Sequence, residues 1–331
     1  MISYHVQRQL KRNKVIAIIL TSGILMTVHS LLYKEITSPM QLSHKYKYLP
    51  YDDDFLLDHV RKFFLDPPST ENYNLKFDKN ELDVFGYKVF MTEYSYDWCS
   101  KIIKELFENR PSGFFVEAGA LDGEYLSNTL ILEKQLGWAG LLVEVNDESY
   151  KELLGKHRKA WGSNSCLATQ PHPHEEVLTT YWYTGENVGF RYGAHAHGSL
   201  FSITKGNTLD GNSPGAVIYK PVQCIPLGTL LTAISVTHVD FISLDVEGAE
   251  LGILKNFPWG KISVDVWLVE HDGEVKSDSE KKSSKKIDKS FVDFFNDKGY
   301  KLYKASTEIP SLNYVFIKDT FNINIKKDSV L

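Results

Sequence analysis

The stretch that decides the fold is Gly113-Phe-Phe-Val-Glu-Ala-Gly-Ala-Leu-Asp-Gly123, an apolar run that ends in an acid and then in two spaced glycines. It reads as a buried strand stopping at a tight turn. With no side chain at Gly119 or Gly123, backbone can approach a ligand closely, and the helix that follows can point its amide end at a polar group. A second run, Gly140-Leu-Leu-Val-Glu-Val, ends in Glu144, an acid placed to accept from ribose hydroxyls. A third, Val239-Asp-Phe-Ile-Ser-Leu-Asp-Val-Glu-Gly-Ala-Glu250, ends in a cluster of carboxylates. Three strand ends carrying acids and glycines mark one ligand edge.

Outward from these strands, helical and extended patterns alternate. Phe114 to Ala118 precedes a helix near Leu126 to Leu136, and Gly140 to Val145 precedes one near Asp147 to Gly155. Val239 to Asp245 precedes Ala249 to Asn256, and Ser263 to Glu270 precedes Ile287 to Asp297. This is the beat of an α/β, mostly parallel sheet with helices on both faces. Tyr300-Lys-Leu-Tyr and Asn313-Tyr-Val-Phe-Ile-Lys read as paired edge strands that finish it. Tyr181, Trp182 and Tyr183 read as a core strand.

The 331 residues are 43% hydrophobic, enough for a packed core. A net charge of −5 without a concentrated basic face excludes a nucleic-acid partner. Val15 to Tyr33 carries no formal charge, close to the roughly 20 residues a helix needs to cross a bilayer. Arg8, Lys11, Arg12 and Lys14 precede it, while Lys34 and Glu35 nearly cancel after it, so the N-terminus is expected in the cytosol and the remainder across the membrane. The expected organisation is a cytosolic tail over 1–14, a signal anchor over 15–33, a stalk over 34–95 with one helix near Asp53 to Leu65, a folded domain over 96–318 and a tail over 319–331. Such a domain meets an oxidising lumen, where at most one pair among Cys99, Cys166 and Cys224 can bridge, and spacing does not say which.

Glu274 to Lys289 reads as a solvated charged loop, and Thr184 to Pro214 as a long loop able to cover a ligand. His172/His174 and His195/His197 form two His-x-His pairs in loop-like sequence, and no metal site is expected from them.

The order of the strand ends resembles the FkbM-type family of S-adenosylmethionine-dependent methyltransferases over roughly residues 96 to 318. Glu117, Gly119, Ala120 and Gly123 match the family's acid-x-Gly-Ala motif and later Gly; Glu144 matches the acid of the second strand end. Asp245-Val-Glu-Gly-Ala-Glu250 matches its Asp-Val-Glu-Gly-Ala-Glu signature. The resemblance implies a Rossmann-like sheet, S-adenosylmethionine as cofactor held by Glu117, Gly119, Ala120, Gly123 and Glu144, and Asp245 or Glu247 as base toward an acceptor oxygen. Two positions depart from the pattern: Val145 stands where many members have Pro. Ser243 stands where they have Lys, which removes a charge beside the expected acceptor site.

The whole architecture also resembles the Star family of arthropod membrane proteins, carried by Glu117-Ala-Gly-Ala-Leu-Asp-Gly-Glu-Tyr-Leu-Ser-Asn-Thr129 and Leu136-Gly-Trp-Ala-Gly-Leu-Leu-Val-Glu144. That likeness implies a type II membrane protein of endoplasmic reticulum, Golgi or endosomal membranes, moving membrane cargo such as growth-factor precursors. The alternative is an O-methyltransferase acting on a sugar-like hydroxyl.

Overall fold

The computed structural model describes residues 46, 48–76, 82–84, 87–89, 91–92, 94–182, 195–196, 198–204, 216–271, 287–306 and 312–323. The expected anchor at 15–33 and nearly all of the charged stretch from 274 to 289 lie outside the described residues. Among those described, no helix is long and apolar enough to cross a membrane.

The main sheet has seven strands: β1 (Phe114–Ala118), β2 (Ala139–Val143), β3 (Trp161–Ser163), β8 (His238–Leu244), β9 (Ser263–Glu270), β10 (Tyr300–Ser306) and β11 (Asn313–Lys318). Their spatial order is β10-β11-β9-β8-β1-β2-β3. All neighbours from β9 to β3 run parallel, whereas β11 is antiparallel to both β9 and β10. The sequence order reverses direction between β1 and β8, the switch point at which open α/β sheets form a crevice. Of the two C-terminal strands read as edges, only β10 is one; β11 is inserted beside β9, which explains its nearly continuous apolar run.

Alternate residues divide between two cores because successive side chains of a strand point to opposite faces. Val116, Leu141, Ile242, Leu244, Trp267 and Val269 join one core with α1 (Asp54–Phe63), α6 (Leu227–Ala233), α7 (Glu250–Lys255) and α8 (Lys289–Asn296). Phe115, Leu142, Phe241, Val266 and Leu268 join the other with α2 (Asp97–Phe107), α3 (Leu130–Leu136) and α4 (Asp147–Gly155). The fold is thus an α/β sheet covered on both faces.

Within the segment read as a stalk, Asp53 caps α1 by accepting from the Phe55 and Leu56 N–H groups, and Leu56 and Val60 are fully buried. Asp66 pairs with Gly162 as an isolated bridge at the β3 edge. This part of the segment is therefore docked on the domain. Beyond residue 318, Phe321 packs edge-on against Phe107 with ring centroids 6.2 Å apart.

A second sheet, for which the strand-helix beat made no allowance, fills the connection between β3 and α6. It comprises β4 (Cys166–Leu167), β5 (His174–Trp182), β6 (Ser199–Leu200), which runs into α5 (Phe201–Thr204), and β7 (Ala216–Ile225), in the order β6-β5-β7-β4. Cys166 and Cys224 are register partners on β4 and β7 and form a disulfide, leaving Cys99 free and buried. The Tyr181 strand lies in this small sheet.

Candidate S-adenosylmethionine site

The carboxyl ends of β1, β2, β8 and β9 open onto a cavity of about 420 Å³, roofed in part by His195, Gly198 and Leu200 from the long loop and the second sheet. Small-molecule sites fall between about 300 and 1,000 Å³, so the volume suits a nucleoside-sized ligand.

The turn after β1 forms the floor. Gly119 and Ala120 donate their N–H groups to the Val143 carbonyl at 3.0 and 3.1 Å, which ties this turn to β2. Gly119 has φ 83, and a Cβ built on it would lie 1.9 Å from the backbone oxygen of Asp245. No other residue type fits there. Gly123 has φ 76 but does not line the cavity; a Cβ there would meet Leu153 of α4, so its part is to let the turn pack down. The following helix starts at Leu130, not Leu126. Just before it, the Asn128 N–H and the Ser127 and Thr129 hydroxyls are engaged by Glu117.

Glu117 is buried beneath the cavity floor. Its Oε2 accepts from the Ser127 hydroxyl at 2.8 Å and the Thr129 hydroxyl at 2.6 Å, and its Oε1 accepts from the Asn128 N–H at 2.6 Å. Burial pushes its pKa up, opposed by the Arg158 guanidinium and these hydrogen bonds. Arg158, itself buried, donates Nε to Glu133 at 3.0 Å and reaches Thr129 Oγ1 at 3.1 Å and the Gly123 carbonyl. Beside it Lys156 pairs with Asp122 at 2.9 Å and Glu124 at 2.7 Å. The turn is held from below by a charged network that composition does not reveal, since Arg and Lys in loops ordinarily face water.

Glu144 is buried with one backbone donor on each oxygen: Leu121 N–H to Oε2 at 2.8 Å and Asn146 N–H to Oε1 at 2.7 Å. Each oxygen keeps an accepting lone pair. Burial raises its pKa to about 7, opposed by backbone hydrogen bonds from Asn146, Leu121 and Val145.

Asp245 and Glu247 both line the cavity, with Asp245 anchored by its own N–H on the Ala118 carbonyl at 3.1 Å. Glu247 has φ 56 and Gly248 φ 99, a left-handed pair that turns the chain sharply. Glu250 holds that turn: its Oε1 accepts from the Val246 N–H at 2.9 Å and the Gly248 N–H at 3.1 Å. The last acid of the signature is thus structural. Ser243, in register with Glu117, accepts a hydrogen bond from Asn128 Nδ2 at 2.9 Å, so position 243 belongs to the floor around Glu117.

The structure adds Tyr96, Cys99, Glu270 and Asn313 to the far end of the cavity. Burial, then the Asp245 carboxylate, pushes the Tyr96 hydroxyl and the Cys99 thiol each up to about 12. No Lys or Arg lines the cavity among the described residues. Of the histidine pairs, His195 reaches the cavity wall, where its Nδ1 lies 3.1 Å from Ser149 Oγ, and His174 lies in β5. The one group of metal-ligand type among the described residues, His238, Asp240 and Asp265, sits at the opposite end of the sheet. Asp240 already accepts the Phe114 N–H there.

A parallel sheet with a switch-point cavity, a glycine-floored turn and an acid at the second strand end defines an α/β domain of methyltransferase type. The family model described as the methyltransferase FkbM domain matches residues 117–302, more than half of the chain, and the chain belongs to that family. Among solved structures it is similar to an S-adenosylmethionine-dependent methyltransferase from Aquifex aeolicus, with 11% identity over 66% of this chain and 88% of that one, TM-score 0.31. It is also similar to the Methanococcus jannaschii fibrillarin pre-rRNA processing protein, with 13% identity over 76% and 87%, TM-score 0.39. A third is precorrin-6y C5,15-methyltransferase from Geobacter metallireducens GS-15, with 10% identity over 74% and 100%, TM-score 0.34. Nothing among curated protein sequences matches the chain.

Proposed function

We propose that this chain is a type II, single-pass membrane protein of the secretory pathway whose lumenal FkbM-type domain binds S-adenosylmethionine. One observation carries the cofactor: Glu144 is fixed at a strand end beside the Gly119 cradle, with an accepting lone pair left on each oxygen for a ribose diol. Gly119 and Ala120 admit the ligand's backbone-hugging portion. Glu117 shapes the turn and presents Oε1, which carries a single donor, to an amino group. The carboxylates around the cavity suit a cationic sulfonium. When bound, the cofactor supplies an electrophilic methyl group. Asp245, with Glu247 beside it, takes the proton of a sugar-like acceptor hydroxyl.

In the cell the domain serves transport of membrane cargo from the endoplasmic reticulum to Golgi and endosomes, growth-factor precursors being the cargo class that the Star likeness implies. The basic tail and apolar segment support this placement, and the Cys166–Cys224 disulfide suits an oxidising lumen. The two activities separate by experiment. Equilibrium binding of radiolabelled S-adenosylmethionine to the full chain is expected to saturate and to be lost in Glu144→Ala; no saturable binding removes methyl transfer and leaves the escort role. Unchanged exit of cargo from the endoplasmic reticulum after deletion of residues 15–33 removes the escort role.

A further inference from the structure

Leu244 of β8 and Val269 of β9 are register partners on adjacent parallel strands, so the next residues, Asp245 just past β8 and Glu270 at the end of β9, lie side by side and toward the same face. Neighbouring strands lie about 4.8 Å apart, close enough to bring two carboxyl groups into direct contact. Both line the cavity, where the carboxyl groups lie close enough to share a hydrogen bond that raises the Glu270 pKa. Two ionised carboxylates cannot make such a bond, since neither has a hydrogen to donate.

Among the described residues the surroundings provide no counter-charge. Asp245 and Glu247 from the loop after β8 and Glu250 from the start of α7 face Glu270, all of one sign. Tyr96 and Cys99 face the pair from the α2 side, and burial, then the Asp245 charge, pushes both pKa values up. From β11 the register partner of Glu270 is Asn313, a neutral amide. Arg158 and Lys156 are spent on Glu133, Asp122 and Glu124 beneath the floor.

We propose that Asp245 and Glu270 work as a one-proton pair at the acceptor end of the cavity, in which Glu270 is the positioning residue that keeps the proton and orients Asp245 toward the acceptor hydroxyl. The arrangement rests on the function proposed above and deepens it. The acceptor's proton goes to Asp245, while Glu270 retains its own. Because the subsite holds negative charge and, among the described residues, no Lys or Arg, it accepts a neutral or cationic hydroxyl compound and rejects one that carries phosphate or carboxylate near the reacting oxygen. Burial and then the Asp245 charge hold the Glu270 pKa well above the carboxylate range.

The proton is measurable without cofactor or acceptor. In the unfolded chain Glu270 is ionised above about pH 4.3, whereas in the folded protein it stays protonated past neutrality, so unfolding releases one proton. The unfolding constant of the full chain, measured in urea between pH 7.5 and 8.5, is expected to rise about tenfold more per pH unit in wild type than in Glu270→Gln. Glu247→Gln is expected to keep the wild-type slope. Equal slopes in wild type and Glu270→Gln overturn the pair, as does loss of the extra slope in Glu247→Gln instead. Failure of Glu270→Gln to fold counts against it as well, because Gln reproduces the neutral, hydrogen-bonding form. S-adenosylmethionine binding measured on the same preparations separates the two ideas. Equal slopes with normal binding remove the pair alone, whereas absent binding removes the methyl-transfer function and leaves the proton count standing.

Discussion

Gly119→Ala tests the joint between the first strand and the acceptor loop. The methyl would start 1.9 Å from the Asp245 carbonyl oxygen, where real Cβ contacts essentially never fall below 3.0 Å, and the obstacle is backbone that no rotamer change can clear. The two loops must part by about 1 Å, enough to strain the Asp245 N–H···Ala118 bond at 3.1 Å and the Gly119 N–H···Val143 bond at 3.0 Å. Two weakened backbone bonds at about 1 kcal/mol each, added to about 1–2 kcal/mol for a Cβ in the left-handed region, give about 3–4 kcal/mol. Gly137 isolates the second term, because it has φ 68 with nothing within 4 Å of a built Cβ. Gly137→Ala is therefore expected to cost only about 1–2 kcal/mol. Urea unfolding of both variants, with S-adenosylmethionine affinity measured alongside, gives the comparison. Equal destabilisation of the two, or an unaltered affinity in Gly119→Ala, would refute the close approach of the two strand-end loops.

Four further outcomes follow from the same geometry. Glu144 must be ionised to accept from both ribose hydroxyls and has a pKa of about 7, so S-adenosylmethionine affinity is expected to climb as pH rises through 7 and then level off; calorimetry showing a flat profile would contradict it. The same raised pKa, shared by Glu250, makes the folded protein hold protons that the unfolded chain has released. That stability is fully present below about pH 4.3 and is lost as pH rises through 7, which denaturation across that window reads directly. Arg158→Met strands Glu133 and removes the charge facing Glu117, at an expected cost of about 3–5 kcal/mol, against less than about 1 kcal/mol for breaking the exposed Lys304–Glu105 pair. Opening the Cys166–Cys224 bridge, which spans 58 residues, is expected to lower stability by about 2–4 kcal/mol; a Cys224→Ala variant with wild-type unfolding midpoint contradicts it.

The parallel strands were legible because each is a short apolar run bounded by glycine or an acid, the signature of burial on both faces. The convergence of Glu117, Glu144 and Asp245 followed from their common position just at strand ends. Glu270 holds the same position, yet it is followed by His271 rather than glycine, so nothing local marks it. Tyr96 and Cys99 arrive from α2 through tertiary packing that no spacing encodes. The second sheet was hidden by its own composition: β7 carries Pro221 within the strand and β5 opens with Glu175 and Glu176, features that argue against a buried ladder. Helix α3 starts late because the donors just before it are bound by Glu117, a contact between residues ten to twelve apart that helical periodicity does not anticipate.

The most direct test is a structure of the full chain determined with S-adenosylmethionine bound. Both ribose hydroxyl oxygens are expected within about 2.6–2.9 Å of the Glu144 carboxylate, with the ligand's chain passing over Gly119. A nucleoside seated away from Glu144, or a ligand-free cavity at saturating cofactor, would contradict the assignment.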